Sequence, residues 1–152
     1  MQDTPGFRIW PPVALGVPLA AGLVISGAGG DPFRFPTAVR VAGWVLVGLF
    51  AAWNGWALLL MRRWRTGLLP GQAATVLLDR GPFGVSRNPL YVGLIVLDAG
   101  IALLTPSAWA LFLLPVGVAA LWWGAVAPEE RYLREKFGTE YEAYMARVRR
   151  WL

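Results

Sequence analysis

The chain has 152 residues, enough for one domain. Apolar residues make up 57% of it and charged residues 15%, against about 45–50% and about 25% in soluble domains, so the excess points to a bilayer rather than a large aqueous core. With no Cys and no His, thiolate nucleophiles, disulfides, imidazole bases and the usual zinc, haem and iron–sulfur ligands are excluded; the net charge of +5 sits on residues that flank apolar runs, not on a nucleic-acid-binding face.

The first apolar run extends from Trp10 to about Ala28 (10–28). Pro11, Pro12 and Pro18 interrupt it and little charge precedes it, so it reads as a retained spanning helix rather than a cleaved signal. The second, 39–61, meets the roughly 20 apolar residues that a bilayer core of about 30 Å requires. A Gly- and Pro-rich segment follows over 62–89. The third run, 90–105, is short. Thr105-Pro106-Ser107 ties it to the fourth, 108–127, so closely that the two are predicted to form an antiparallel hairpin. Gly and Pro inside such helices are tolerated and allow close packing.

The tail, 128–152, is predicted to start a new helix at Pro128, just ahead of Glu129 and Glu130. It should break at Gly138 and restart at Thr139, whose spacing to Glu142 is that of a capping box. Tyr141, Tyr144 or Met145, Val148 and Trp151 share one face of that last helix, which is expected to lie on the membrane or against the 62–89 segment. The fold class is therefore all-α: an integral membrane helical bundle with about four transmembrane helices and a C-terminal amphipathic segment.

Orientation follows from the basic residues. With both termini cytoplasmic, twelve of the fourteen Lys and Arg residues fall inside, and only Arg34 and Arg40 fall outside. Trp10, Trp44, Trp64, Trp109, Trp122 and Trp123 lie near helix ends, as an interfacial belt would. The preference for Arg over Lys, with many Ala and Gly, points to a GC-rich bacterial genome and so to an inner membrane. Arg147, Arg149 and Arg150 read as a cluster attracted to anionic headgroups.

Two polar residues stand inside apolar runs. Asp98 is a carboxylate in a spanning segment, a functional candidate by default that could pair with Asn54 or with an Arg near a helix end. Asn54, between Trp53 and Trp56, reads as interhelical glue or as lining for an acceptor cavity.

Two motifs carry chemistry. The first reads Gly81-Pro82-Phe83-Gly84-Val85-Ser86-Arg87-Asn88-Pro89-Leu90-Tyr91-Val92-Gly93 and runs into the third apolar segment. The second begins Pro128-Glu129-Glu130-Arg131-Tyr132-Leu133, continues through Phe137-Gly138 to Tyr141 and Tyr144, and ends in Val148-Arg149-Arg150-Trp151. Together, in this order around a short membrane hairpin, they resemble the isoprenylcysteine carboxyl methyltransferases and the related phospholipid methyltransferases over about residues 76–152.

The resemblance implies S-adenosylmethionine as cofactor and methyl transfer to a lipophilic acceptor at the cytoplasmic membrane face, with membrane lipids as surroundings. It implies Arg87, Asn88 and Glu130 as catalytic residues. Its cofactor-binding set is Gly81, Pro82, Arg87, Asn88, Tyr91, Gly93, Glu129, Glu130 and Leu133, with no metal. In this reading Arg87 pairs with the methionine carboxylate, Glu129 and Glu130 accept from ribose hydroxyls or the amino group, and Tyr91 reaches adenine or faces the sulfonium. Gly81, Gly84 and Gly93 let backbone approach the ligand. Asn88 stands where many relatives carry His, and Gly84 where they often carry a larger residue. Those departures leave the acceptor open among carboxylate, amine, phenol and thiol. A membrane reductase using NADPH and a non-enzymatic scaffold are the alternatives.

Overall fold

The computed structural model describes residues 6–33, 35–67 and 73–152. Arg34, counted above on the outer side, and residues 68–72 of the 62–89 segment lie outside the described residues. All regular structure among the described residues is helical: α1 (Pro11–Gly29), α2 (Val39–Arg63), a single turn α3 (Pro82–Val85), α4 (Pro89–Leu104), α5 (Ala108–Leu121), a π turn (Trp122–Val126), α6 (Ala127–Phe137) and α7 (Thr139–Arg147). Among the described residues, three stretches are long and apolar enough to cross a bilayer: α1, α2 and the unbroken 30-residue run Ala108–Phe137. The 16-residue α4 is a shorter apolar helix. This is the membrane helical bundle expected from the sequence.

Local signals set several helix ends. Proline opens α1, α3 and α4 in the first turn, where a missing N–H leaves no bond unmade. α2 closes with Thr66 N–H bonded to Met61 O and with Arg65 at φ 52°, a left-handed stop that glycine usually supplies. Gly138, at φ 52°, divides α6 from α7. Thr139 does open α7, but no side chain caps it, so the glycine makes the break and the capping box is not formed.

The helices pack as two antiparallel pairs. α1 runs along α5, with Gly22 against the backbone of Ala110 and Gly117 against Leu15. α2 runs along α4, with Gly43 against Gly100 and Leu104 at one end and Gly93 against Asn54 at the other. Without a hydrophobic effect between helices in lipid, such small-residue seams are where backbones approach closely enough for dispersion to hold them. The short Thr105–Ser107 link thus joins two helices whose main partners are elsewhere. At that end Asp31, from the turn after α1, accepts from the Ala108 and Trp109 amides at the start of α5 and from Ser26 Oγ.

The helix break expected at Pro128 is absent. α5 continues through the π turn into α6, and Val126 and Ala127 keep helical dihedrals. The amphipathic face of α7 is buried against protein: Tyr141, Tyr144 and Val148 pack with Leu77, Leu133, Phe137 and Met145. Of the two expected resting places for that face, the structure shows the described part of the 62–89 segment, at Leu77.

Candidate active site

The C-terminal end of α2, the N-terminal end of α4, α6, α7 and the segment before α3 meet around a half-open cavity of about 260 Å³. Its apolar wall comes from Leu58 and Met61 of α2, Leu90 and Leu94 of α4, Leu77 and Leu78 of the segment, and Leu133 of α6. Its polar and aromatic wall comes from Asn54, Thr66, Phe83, Arg87, Asn88, Tyr91, Glu129 and Tyr144.

The two acidic residues of α6 differ sharply. Glu130 is 7% exposed. Arg87 Nη2 lies 3.2 Å from its carboxylate, and Arg150 grips it from the other side through Nε at 3.0 Å and Nη2 at 3.0 Å. The arrangement is a fork of two guanidinium groups on one carboxylate. Hydrogen bonding to Glu130 pushes the Arg150 guanidinium further toward its charged form. Glu129, half-buried on the cavity wall, accepts a hydrogen bond from the Tyr91 hydroxyl and has no cation in ion-pair range among the described residues.

The backbone of the C-terminal tail completes the cluster. Arg87 N–H donates to Arg149 O at 2.9 Å. Ser86 Oγ donates to Arg150 O at 3.2 Å, and Asn88 Nδ2 donates to the same carbonyl at 3.1 Å. Ser86 Oγ also accepts from the Asn88 amide at 3.1 Å. Arg87 Nη1 reaches Met145 O at 3.4 Å, while its Nε is buried without a partner. Tyr144 donates to Phe83 O at 2.6 Å, tying α7 to α3. The first motif, α6 and the chain end are therefore one hydrogen-bonded unit.

Arg87, Asn88, Tyr91, Glu129 and Leu133 line the cavity, and Glu130 stands directly behind Arg87 and Asn88. Gly81, Pro82 and Gly93 do not line it. The close approaches that these glycines permit are to protein. Gly81, at φ 57°, lies where a Cβ would meet the Trp56 ring at 3.1 Å, and a Cβ on Gly93 would sit 2.0 Å from Asn54 Oδ1. Gly84 likewise lies against Asp79 O. Asn54 bridges helices, donating to Leu90 O at 3.3 Å beside the Trp53 bond to Pro89 O at 2.8 Å, and it also lines the cavity. It does not pair with Asp98, which is buried on α4 away from the cavity.

Three contributors lie outside the catalytic and cofactor-binding set that the resemblance implies. Arg150, expected from the sequence to face lipid headgroups, is the second partner of Glu130. Ser86 holds both the tail and Asn88. The end of α2 supplies a wall, and nothing in its apolar pattern distinguishes Leu58 and Met61 from lipid-facing neighbours.

With this geometry in place, one comparison decides the family. The family model for phospholipid methyltransferases matches residues 38–140. The chain belongs to the phospholipid methyltransferase family. The match takes in α2, which the motifs left aside, and ends at the start of α7. No curated protein and no solved structure matches the chain. As a member of this family with three bilayer-length helices, the protein is an integral membrane methyltransferase acting on a lipid-like substrate.

Proposed function

We propose that the protein binds S-adenosylmethionine in the cavity between α4, α6 and the 62–89 segment, and transfers its methyl group to a lipophilic acceptor at the cytoplasmic face of the membrane, with both chain termini on that face. The observation that carries this reading is Glu129: a cavity-wall carboxylate with a hydroxyl partner but no cation among the described residues, next to a carboxylate that has two. A half-buried carboxylate with no counter-charge among the described residues is under-compensated, and a cationic ligand would supply what is missing.

The donor set fits the rest of the cofactor. The Arg87–Glu130–Arg150 cluster holds two guanidinium groups against one carboxylate, so it keeps net positive charge toward the amino-acid carboxylate of the ligand. The Asn88 amide offers polar contact for ribose hydroxyls, and Leu77, Leu78, Phe83 and Leu133 give a planar base apolar walls. When bound, the cofactor supplies an electrophilic methyl group on a sulfonium, and its transfer to a nucleophile leaves a neutral thioether. The chain's own residues bind and orient: Tyr91 fixes the Glu129 carboxylate and Glu130 fixes Arg87. Leu58, Met61, Leu90 and Leu94 offer the acceptor's apolar part a lining continuous with the bundle.

A nicotinamide phosphate brings several negative charges, and Arg87 is the one cation among the described residues that line the cavity. An inert scaffold would have no reason to keep Glu129 uncompensated. The test is calorimetry on protein reconstituted in lipid. S-adenosylhomocysteine should bind, and Glu129→Gln should weaken the binding of S-adenosylmethionine more than that of this product, which lacks the sulfonium charge. Membranes incubated with methyl-labelled cofactor should yield a labelled extractable lipid. Absence of binding by the wild type would reject the reading.

A further inference from the structure

Pro128 has no N–H to reach back to the Gly124 carbonyl, four residues earlier in the helix. The chain meets this with the π turn, in which Ala127 N–H bonds to Trp122 O, five residues back. The Gly124 carbonyl is taken instead by the start of the chain, accepting from Arg8 N–H at 2.8 Å and Ile9 N–H at 3.2 Å. Glycine is required there, because a Cβ would lie 2.6 Å from Ile9 Cβ. The Arg8 guanidinium lies over the Trp123 ring at 4.9 Å. Phe7 and Ile9 pack on the buried cluster that contains Tyr91, Leu121, Ala125 and Val126.

An extra residue in a helix rotates everything beyond it by about 100°. Leu121, fully buried, marks the inward face of α5. In an uninterrupted α-helix Pro128 would fall within about 20° of that face, and Glu130 about 180° from it, pointing away from the bundle. With the inserted residue Glu129 takes the inward position, where it meets Tyr91, and Glu130 swings in to meet Arg87.

We propose that Phe7–Ile9, the π turn and Pro128 form a positioning device that sets the rotational register of Glu129 and Glu130 and so assembles the cofactor end of the site. Its functional consequence rests on the cofactor reading above; the register itself does not.

Pro128→Ala tests it. The variant restores the amide that Gly124 O lacks and lets the helix close without the extra residue. Hydrogen exchange without ligand and S-adenosylhomocysteine titration would be run on wild type and variant in the same lipid. The melting temperature should hold or rise, since a proline leaves a helix. The Arg87 amide, which bonds to Arg149 O while Glu130 holds the tail, should exchange about tenfold faster or more as that docking opens locally. Ligand affinity should fall about tenfold or more with the loss of charge-assisted contacts. A proline with a merely structural part would move the melting temperature and leave the other two readouts alone. Gly124→Ala, which drives a methyl group against Ile9, should reproduce the faster exchange and weaker binding. Wild-type exchange at Arg87 in folded Pro128→Ala overturns the proposal. If the wild type itself fails to bind the ligand, the cofactor reading falls, while the ligand-free exchange still decides the register.

Discussion

Replacing Glu130 with Gln keeps the shape of the side chain and removes the charge that two guanidinium groups share. The two pairs are not equivalent. The Arg87 side chain is 10% exposed and the Arg150 side chain 41%. Leaving Arg87 as an unpaired charge in a nearly closed site should cost about 3–5 kcal/mol, the range for breaking a buried pair. Arg150 can turn to solvent, and its half-exposed pair contributes about 1 kcal/mol or less. Glu130→Gln should therefore destabilise the fold by several times as much as Arg150→Gln. The assay is denaturant unfolding in a fixed detergent, followed by Trp fluorescence, with Arg150→Gln and the double variant completing a cycle. Because well-packed apolar replacements of a buried pair are often neutral, Arg87→Met/Glu130→Met should recover most of the stability lost in Glu130→Gln, yet not bind S-adenosylhomocysteine. Equal losses from Glu130→Gln and Arg150→Gln, or recovered binding in the double Met variant, would refute the view that Glu130 acts by holding a buried Arg87 at the cavity.

Further expectations concern the packing around the site. Gly93→Ala places a methyl group 2.0 Å from Asn54 Oδ1, so Asn54 must leave its bond to Leu90 O, at about 1–3 kcal/mol of overpacking; Asn54→Ala in the same chain should recover part of that in the same unfolding assay. Asp31→Ala removes the acceptor for the Ala108 and Trp109 amides and should cost about 1–2 kcal/mol, as loss of a helix cap does, with no change in cofactor affinity because the cap sits at the other end of the bundle. Burial pushes the Tyr141 and Tyr144 phenols above the ordinary tyrosine value. The folded protein then keeps protons that the unfolded chain releases, so the stability they contribute is complete below about pH 10 and is lost as pH rises beyond it. Tyr144→Phe should lower stability at neutral pH by about 1 kcal/mol, through the bond to Phe83 O, and flatten the alkaline fall.

The bundle was legible because its signals are local and cumulative. Apolar runs of bilayer length, prolines opening α1, α3 and α4, and a glycine between α6 and α7 each act within a few residues. Pairing was not legible, since Thr105–Ser107 suggests a hairpin while the glycines that choose α1 with α5 and α2 with α4 are scattered among many that meet nothing. The same limit governed the site. Arg87, Asn88, Tyr91, Glu129 and Glu130 announce themselves by residue type and spacing, but which carboxylate is neutralised and which is left open depends on a third partner. Arg150, twenty residues beyond Glu130, looks like any other tail arginine until the tail folds back.

Pro128 shows why a correct local rule can give a wrong local structure. A proline beside two acidic residues is a good helix start, and in water the helix would be expected to begin there. In this chain the carbonyl that the proline orphans is satisfied by residues more than a hundred positions earlier, at Arg8 and Ile9. In the bilayer an unsatisfied backbone group costs several kcal/mol, so a tertiary hydrogen bond can settle the competition between ending the helix and distorting it. The distortion then turns Glu129 and Glu130 toward the bundle, whereas a helix begun afresh at Pro128 would have no fixed rotational relation to α5. A break at Pro128 would thus leave the orientation of the acidic pair open, whereas the continuous helix with its π turn fixes it, and the contacts to Tyr91 and Arg87 follow from that register.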